Sequence, residues 1–186
     1  GIYVFGDRVY GIENQEINPS IMVVANCLYD YKEMFGEKYD IYIKVSTRFR
    51  DSVMDCDMVA LECMYAPENA RLKEDYAYMY SLWNNVRTPM IKKGIDLQSR
   101  HMWSQARHFI EGMDLYRGKR TLWHSLKALM FGIQICENGS IKDFTEANRY
   151  WYEIEQMDAD GDLNWEAVKS NFFPLKVGLE KLLKDA

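Results

Sequence analysis

The stretch Tyr3-Val4-Phe5-Gly6-Asp7-Arg8-Val9-Tyr10-Gly11, followed by Asn18-Pro19-Ser20-Ile21-Met22-Val23-Val24, decides the fold. Residues 2–5 are apolar, aromatic or β-branched and end at Gly6. A second apolar run, residues 21–25, follows the turn signal Asn18-Pro19-Ser20. Both runs predict buried β-strands, and the glycines between them predict a tight connection.

The pattern of alternating elements continues beyond these two strands. Residues 27–35 predict a helix that ends at Gly36, and residues 40–45 alternate as a half-exposed strand does. Ser46 or Thr47 is suited to cap the helix that follows. Residues 59–64 form one more apolar run, which ends at Ala66-Pro67.

After Pro67 the apolar residues recur with helical spacing. Pro and Gly residues separate the predicted helices, which span residues 68–86, 98–116, 119–137, 145–157 and 165–184. Asp162 or Asn164 is placed to cap the last of them. We therefore predict an α+β fold, in which a small mixed sheet in residues 1–67 packs as one compact unit on a helical part, residues 68–186.

The composition is typical of a globular protein and argues against several other classes. The chain has 186 residues, of which 48% are hydrophobic, so it can bury a real core and is not disordered. It has no stretch of about 18 apolar residues and no signal-peptide pattern at its start, and its four cysteines form no metal or disulfide pattern. We expect a soluble cytoplasmic protein, and a net charge of −5 argues against coating nucleic acid through bulk charge.

The opening stretch resembles the signature of the DNA polymerase beta-like nucleotidyltransferase superfamily. In that family a strand, a Gly-Ser turn, an Arg, an aromatic residue and a Gly precede an Asp-x-Asp on the next strand. The resemblance implies nucleotide phosphates at the turn and Mg²⁺ on the two aspartates and a third carboxylate from a later strand. Gly6, Arg8, Tyr10 and Gly11 keep this pattern and are the implied nucleotide-binding residues.

The metal-binding positions depart from the family pattern. The family serine falls on Asp7, the two aspartates fall on Asn18 and Ser20, and the later carboxylate falls on Asp40. Two neutral side chains cannot offset the cost of dehydrating Mg²⁺. A carboxylate at position 7 would repel a phosphate about 4 Å away by about 4 kcal/mol at an effective dielectric constant of 20. We therefore expect no catalytic residues and no cofactor.

The resemblance covers nearly the whole chain. Residues 40–67 are similar to the strand, helix and Leu-Glu stretch of a phage and bacterial branch of the superfamily. Residues 103–107, 122–127 and 148–154 are similar to its helical half. The resemblance thus implies a degenerate, possibly phage-encoded member that would lie in the host-cell cytoplasm.

One basic concentration occurs in this acidic chain, between residues 100 and 127, and it contains all three histidines. Arg120, His124 and Lys127 are spaced to share a helix face, which is suited to a phosphate or an RNA backbone. A solvated helix face is the alternative interpretation. Earlier in the chain, one predicted helix carries four aromatic residues, Tyr76, Tyr78, Tyr80 and Trp83. They cannot all face inward, so part of that helix is a candidate protein interface.

The leading hypothesis is a catalytically inactive nucleotidyltransferase-fold protein that binds a protein or RNA partner. The alternative is an active Mg²⁺-dependent nucleotidyltransferase acting on RNA or another acceptor, with Asp40, Asp7 and Glu62 in a rearranged metal site. Two further interpretations stay open: the glycine-bounded turn is only a tight connection, or the chain is a structural assembly subunit.

Overall fold

The computed structural model describes residues 1–12, 20–35 and 39–186. These residues form two compact units, Gly1–Met90 and Ile91–Ala186. The first unit contains a mixed sheet and short helices, and the second is helical, which confirms the α+β class. The change to helices comes later than residue 67 because a short strand after it, Arg71–Lys73, still pairs with the first strand of the sheet.

The sheet of the first unit has five strands within the described residues. They are β1 (Ile2–Phe5), β2 (Ser20–Ala25), β3 (Tyr31–Phe35), β4 (Tyr39–Val45) and β5 (Arg71–Lys73). Their order across the sheet is β3-β4-β2-β1-β5. β2 and β4 run parallel, whereas the other neighbouring strands run antiparallel. The strands predicted at residues 2–5, 21–25 and 40–45 are confirmed.

The helix predicted over residues 27–35 is wrong, because this segment contains strand β3. Lys32, Glu33 and Met34 have good intrinsic helix propensity, and this misled the prediction. Each of them pairs with a residue of β4, from Tyr42 back to Asp40. Long-range pairing has therefore overridden the local preference.

In the described part of the first unit, four α-helices begin and end: α1 (Asp7–Tyr10), α2 (Ser46–Met54), α3 (Met58–Met64) and α4 (Tyr76–Trp83). The predicted cap at Ser46 or Thr47 is wrong, since Val45 occupies the cap position and the Ser46 hydroxyl donates to Asn26 Oδ1 at 2.5 Å. The single helix predicted over residues 68–86 is also wrong. A 3₁₀ turn (Glu68–Ala70) and β5 precede α4, because this segment pairs with β1.

One face of the sheet carries the buried residues. The side chains of Tyr3, Met22 and Val24 alternate onto this face and are buried. Helix α3 packs against β1, and burial followed by the charges of Glu74 and Cys63 raises the pKa of Tyr3, so α3 lies over the same face. Burial first, and then the charge of Glu62, raises the pKa of the Cys63 thiol well above its usual value.

The second unit contains four long helices, the first of which starts three residues before it: α5 (Thr88–Glu111), α6 (Leu115–Asn138), α7 (Asn148–Ala159) and α8 (Trp165–Asp185). Their existence was predicted, but α5 starts ten residues earlier than expected and continues through Gly94. Asn164 caps α8 as predicted, because its side chain accepts the Ala167 amide at 3.0 Å. No helix in the described residues has an apolar stretch long enough to cross a lipid bilayer.

Candidate functional site

The sheet register gathers the candidate metal positions at one end of the sheet. Phe5 at the end of β1 pairs with Ser20 at the start of β2. Ser20 in turn pairs with Asp40 near the start of β4. Directly paired residues point to the same face, so Ser20 and Asp40 are neighbours on the face that carries the buried Tyr3. We call Phe5, Ser20 and Asp40 the strand-end row; Asn18 lies outside the described residues.

The turn after β1 depends on its two glycines. Gly6 has a φ of 84° and Gly11 has a φ of 70°, a region that other residues seldom adopt. Between them α1 is a single turn of four residues. Few aligned peptide dipoles are available in so short a helix, so its start is a weak attractor for phosphate compared with that of a long helix.

The side chains of this turn that were predicted to bind nucleotide point in different directions. Arg8 is exposed, whereas Tyr10 is only 1% exposed. The Tyr10 hydroxyl donates to the Glu62 carboxylate, which is itself 4% exposed on α3. Burial, together with the charge and hydrogen bond of Glu62, raises the pKa of Tyr10 well above its usual value. Tyr10 and Glu62 are therefore part of the core of this unit, and neither side chain is accessible to a ligand in solution.

Asp40 is already paired with a cation from the same sheet. The Lys32 ammonium lies 2.7 Å from Asp40 Oδ2, and its Nζ is 4.8 Å from the centre of the Tyr42 ring. Hydrogen bonds to Asp40 and then Tyr42 raise the pKa of Lys32, so it stays charged. Lys32 was not among the predicted site residues, because residues 27–35 were predicted to form a helix, in which Lys32 has no defined relation to Asp40.

Aromatic side chains flank the strand-end row. The Phe5 and Tyr42 rings meet edge to face, with their centres 5.4 Å apart. Both rings are half-buried, and both lie on the face that carries Ser20 and Asp40. The surroundings of Asp40 are thus an ammonium, a hydroxyl-bearing neighbour and two aromatic rings.

This donor set is a poor match to Mg²⁺, which the resemblance would imply. Mg²⁺ needs anionic oxygens in near-octahedral geometry. The Asp40 charge is matched by Lys32, position 20 carries a neutral hydroxyl, and Glu62 is engaged by Tyr10. Within residues 1–12, 20–35 and 39–186, no group of three or more His, Cys, Asp or Glu side chains is placed to hold a metal ion.

The basic residues predicted to bind RNA lie together on α6 but in different environments. Burial, then the charges of Lys127 and Arg120, lower the pKa of His124 well below its usual value, so His124 is neutral. Lys127 is 1% exposed, and its Nζ lies 4.8 Å from the Trp123 ring centre and 5.5 Å from that of Phe131. Neither side chain presents a positive charge to solvent.

Other members of the basic concentration are paired with carboxylates of the second unit. Arg107 Nε lies 2.9 Å from Glu111. The Lys119 ammonium contacts Asp158 at 2.5 Å and Glu155 at 2.8 Å, and although burial opposes it these bonds raise the pKa of Lys119. These pairs reduce the positive potential that an RNA backbone would meet.

The aromatic helix α4 divides its side chains as predicted. Tyr76 is 73% exposed and Tyr80 is 63% exposed, one turn apart on the outer face. Tyr78 turns inward, and its hydroxyl donates to the carbonyl oxygen of Ser46. The outer face of α4 therefore carries two tyrosines that are largely exposed.

Comparisons with known proteins return one kind of similarity. No protein-family model matches the chain, and no curated protein matches its sequence. Among solved structures, the chain is similar to a nucleotidyltransferase-like protein from Exiguobacterium sibiricum. The similarity covers 100% of this chain and 68% of that one, with 12% sequence identity and a TM-score of 0.34.

Proposed function

We propose that this chain is a nucleotidyltransferase-like protein that has lost Mg²⁺-dependent nucleotidyl transfer and acts by binding a partner. One observation carries the proposal: the carboxylate of the strand-end row, Asp40, is held by Lys32 at 2.7 Å, beside the neutral Ser20. The resemblance in residues 3–24 supports the ancestry, and this ion pair supports the loss of activity.

Charge at the strand-end row explains why transfer would fail. Phosphoryl transfer needs cations to neutralise the charge that develops on the phosphates, and those cations need carboxylates to hold them. The Asp40 charge is balanced by Lys32, so the pair offers a divalent ion no net attraction. A second cation beside the ammonium would be repelled by about 2 kcal/mol at 4 Å even in bulk water, for charges of +2 and +1.

A protein is favoured over RNA as the partner. The net charge is −5, and Arg107 and Lys119, within the one basic concentration, are paired with carboxylates. Nucleic-acid binding draws most of its affinity from unpaired basic residues that contact phosphates. Exposed aromatic side chains such as Tyr76 and Tyr80 are instead typical of protein interfaces.

Calorimetric titration with ATP, GTP, CTP and UTP in the presence of Mg²⁺ tests the proposal. We expect no binding in the millimolar range and no transfer of labelled nucleotide to RNA or to the protein itself. Asp40→Ala should then leave the titration unchanged. A matched control is Asp51→Ala, which removes an exposed carboxylate from α2.

The opposite result is equally defined. Mg²⁺-dependent nucleotide binding that Asp40→Ala abolishes and Asp51→Ala preserves would establish the active-enzyme alternative. In that case Asp40 would have to exchange Lys32 for the metal ion when the nucleotide binds.

A further inference from the structure

The first unit has an exposed apolar surface along one edge of its sheet. Its large side chains are Leu28, Tyr29, Tyr31 and Met34, which are 94%, 64%, 45% and 64% exposed. The Tyr29 and Tyr31 rings lie 6.0 Å apart. We call these four residues together with Glu33 the β3 edge surface. The two tyrosines supply the apolar contact on one face of the sheet, whereas Met34 pairs with Asp40 and lies on the opposite face from Tyr31. Exposed apolar patches on a protein surface mark interaction sites.

Strand β3 is the outermost strand on its side of the sheet. In the described part of the chain its one strand neighbour is β4. An edge strand offers a row of backbone N–H and C=O groups to any further strand. Tyr31, Lys32, Glu33 and Met34 are all exposed, so their side chains are accessible to a further strand.

The charged residues of this segment indicate which side chains an added strand would need. Asp30 accepts the Val45 amide at 2.7 Å and pairs with Arg48 at 3.6 Å, and Lys32 is paired with Asp40. Glu33 differs: among the described residues no ion pair involves it. An added strand that places a basic residue opposite Glu33 would gain a cross-strand charge pair.

A second copy of the chain fits this edge less well. Antiparallel pairing keeps opposite residues on one face, so two copies of β3 must pair about a central residue. Pairing about Lys32 or about Glu33 sets like charges directly opposite, which destabilises the pair. Pairing about Tyr31 or about Met34 sets no like charges opposite, but it places Glu33 opposite Tyr29 or Phe35, so Glu33 gains no basic partner.

We propose that β3 binds an extended segment of another protein as an additional strand. The segment carries Lys or Arg opposite Glu33 and an apolar residue two positions away, where it packs against Tyr31. Backbone hydrogen bonds supply affinity and the alternating side chains supply selectivity, as in other cases of strand addition. This rests on the proposed function in one respect, namely that the chain acts by binding.

The probe is a fluorescein-labelled, acetylated peptide, Thr-Val-Thr-Lys-Thr-Val-Thr, measured by fluorescence anisotropy with the full chain. A second peptide replaces Lys with Glu. A third is N-methylated at the first Val and at the Thr that follows it, so that in either strand phase one removed backbone donor faces β3 while the charge is unchanged. The protein variants are Glu33→Lys and the matched control Glu153→Lys, which reverses an exposed carboxylate on α7.

We expect the Lys peptide to bind saturably and the N-methylated peptide to bind at least about tenfold more weakly, the equivalent of one lost hydrogen bond. Glu33→Lys should weaken the Lys peptide about three- to tenfold and strengthen the Glu peptide by a similar factor. Glu153→Lys should change neither. Amide shifts in nuclear magnetic resonance spectra should concentrate in residues 28–34.

Three outcomes overturn the proposal. They are no saturable binding of the Lys peptide below about 1 mM, equal affinity for the N-methylated and unmethylated peptides, and an affinity that does not change with the charge at position 33. A fourth outcome would come from light scattering. If the chain is a dimer and Met34→Asp makes it a monomer, this edge is an interface between two copies of the chain. None of these results bears on the nucleotide titration, so failure here and failure of the proposed function are distinguishable.

Discussion

The hydroxyl of Tyr10 donates to the carboxylate of Glu62, a residue 52 positions later in the chain. Both side chains are buried, at 1% and 4% exposure. The bond ties the glycine-bounded turn after β1 to helix α3. A residue that the sequence offers as a nucleotide contact is therefore part of the core.

Removing this donor should destabilise the protein. Tyr10→Phe leaves the buried Glu62 carboxylate short of a hydrogen bond, which should cost about 1–3 kcal/mol. The free energy of unfolding, measured by urea denaturation, checks this. Tyr76→Phe removes a hydroxyl from a tyrosine that is 73% exposed and should change stability by less than about 0.5 kcal/mol. Equal stability of the two variants would contradict the prediction.

The depressed pKa of His124 predicts a loss of stability in acid. Burial, with the charges of Lys127 and Arg120 nearby, holds the pKa of His124 in the folded protein well below the ordinary value of about 6.5. In acid, His124 is therefore protonated in the unfolded chain but stays neutral in the folded protein. As the pH falls below about 6.5 towards the folded pKa, stability falls by up to about 1.4 kcal/mol per pH unit. Above about 6.5 both states are neutral, and this contribution to the pH dependence vanishes.

The measurement is the free energy of unfolding between about pH 7.5 and pH 5 for the wild type and His124→Gln. The variant should show a shallower decline, because the carboxylates common to both proteins contribute equally. His101→Gln, at an exposed position of α5, is the control and should follow the wild type. Parallel curves for the wild type and His124→Gln would refute the assignment.

Two glycines in long helices should respond in opposite directions to alanine. A Cβ at Gly132 in α6 would lie 2.8 Å from Ile95 Cγ2 and 3.1 Å from Leu183 Cδ1, in a fully packed region. Gly132→Ala should therefore destabilise by about 1–3 kcal/mol. A Cβ at Gly178 in α8 meets nothing within 4 Å, so Gly178→Ala should stabilise by about 0.5–1 kcal/mol. Thermal and urea denaturation of both variants decide the matter.

Introducing the residues of the nucleotidyltransferase pattern that the opening stretch resembles should create a metal site. The triple variant Asp7→Ser, Asn18→Asp, Ser20→Asp adds two carboxylates, the one at position 20 directly beside Asp40, and should bind Mn²⁺ in calorimetry. Adding Lys32→Met removes the competing ammonium and should tighten Mn²⁺ binding about tenfold or more. Lys32→Met alone should bind no metal, since one carboxylate is not a site. If the quadruple variant binds no more tightly than the triple, Lys32 is not the obstacle we infer.

Part of the candidate site could be predicted from the chain and part could not. The turn residues Gly6 and Gly11 were predicted, because positive φ is a local requirement that glycine meets. Lys32 was missed because its segment has helix propensity and becomes a strand only by pairing with β4. Glu62 was a candidate metal ligand only in the active-enzyme alternative, and in the structure it accepts a hydrogen bond from Tyr10.

Local residue patterns sufficed for the α+β class, for strands β1, β2 and β4, and for the existence of α5 to α8, since periodicity and capping act over a few residues. Only the tertiary structure decided that Lys32 neutralises Asp40 and that Tyr10 donates a hydrogen bond to Glu62. Both contacts join segments that are separated in the sequence. Strand register and helix packing set those contacts. They arise from the free energy of the assembled core, which no short stretch of residues encodes.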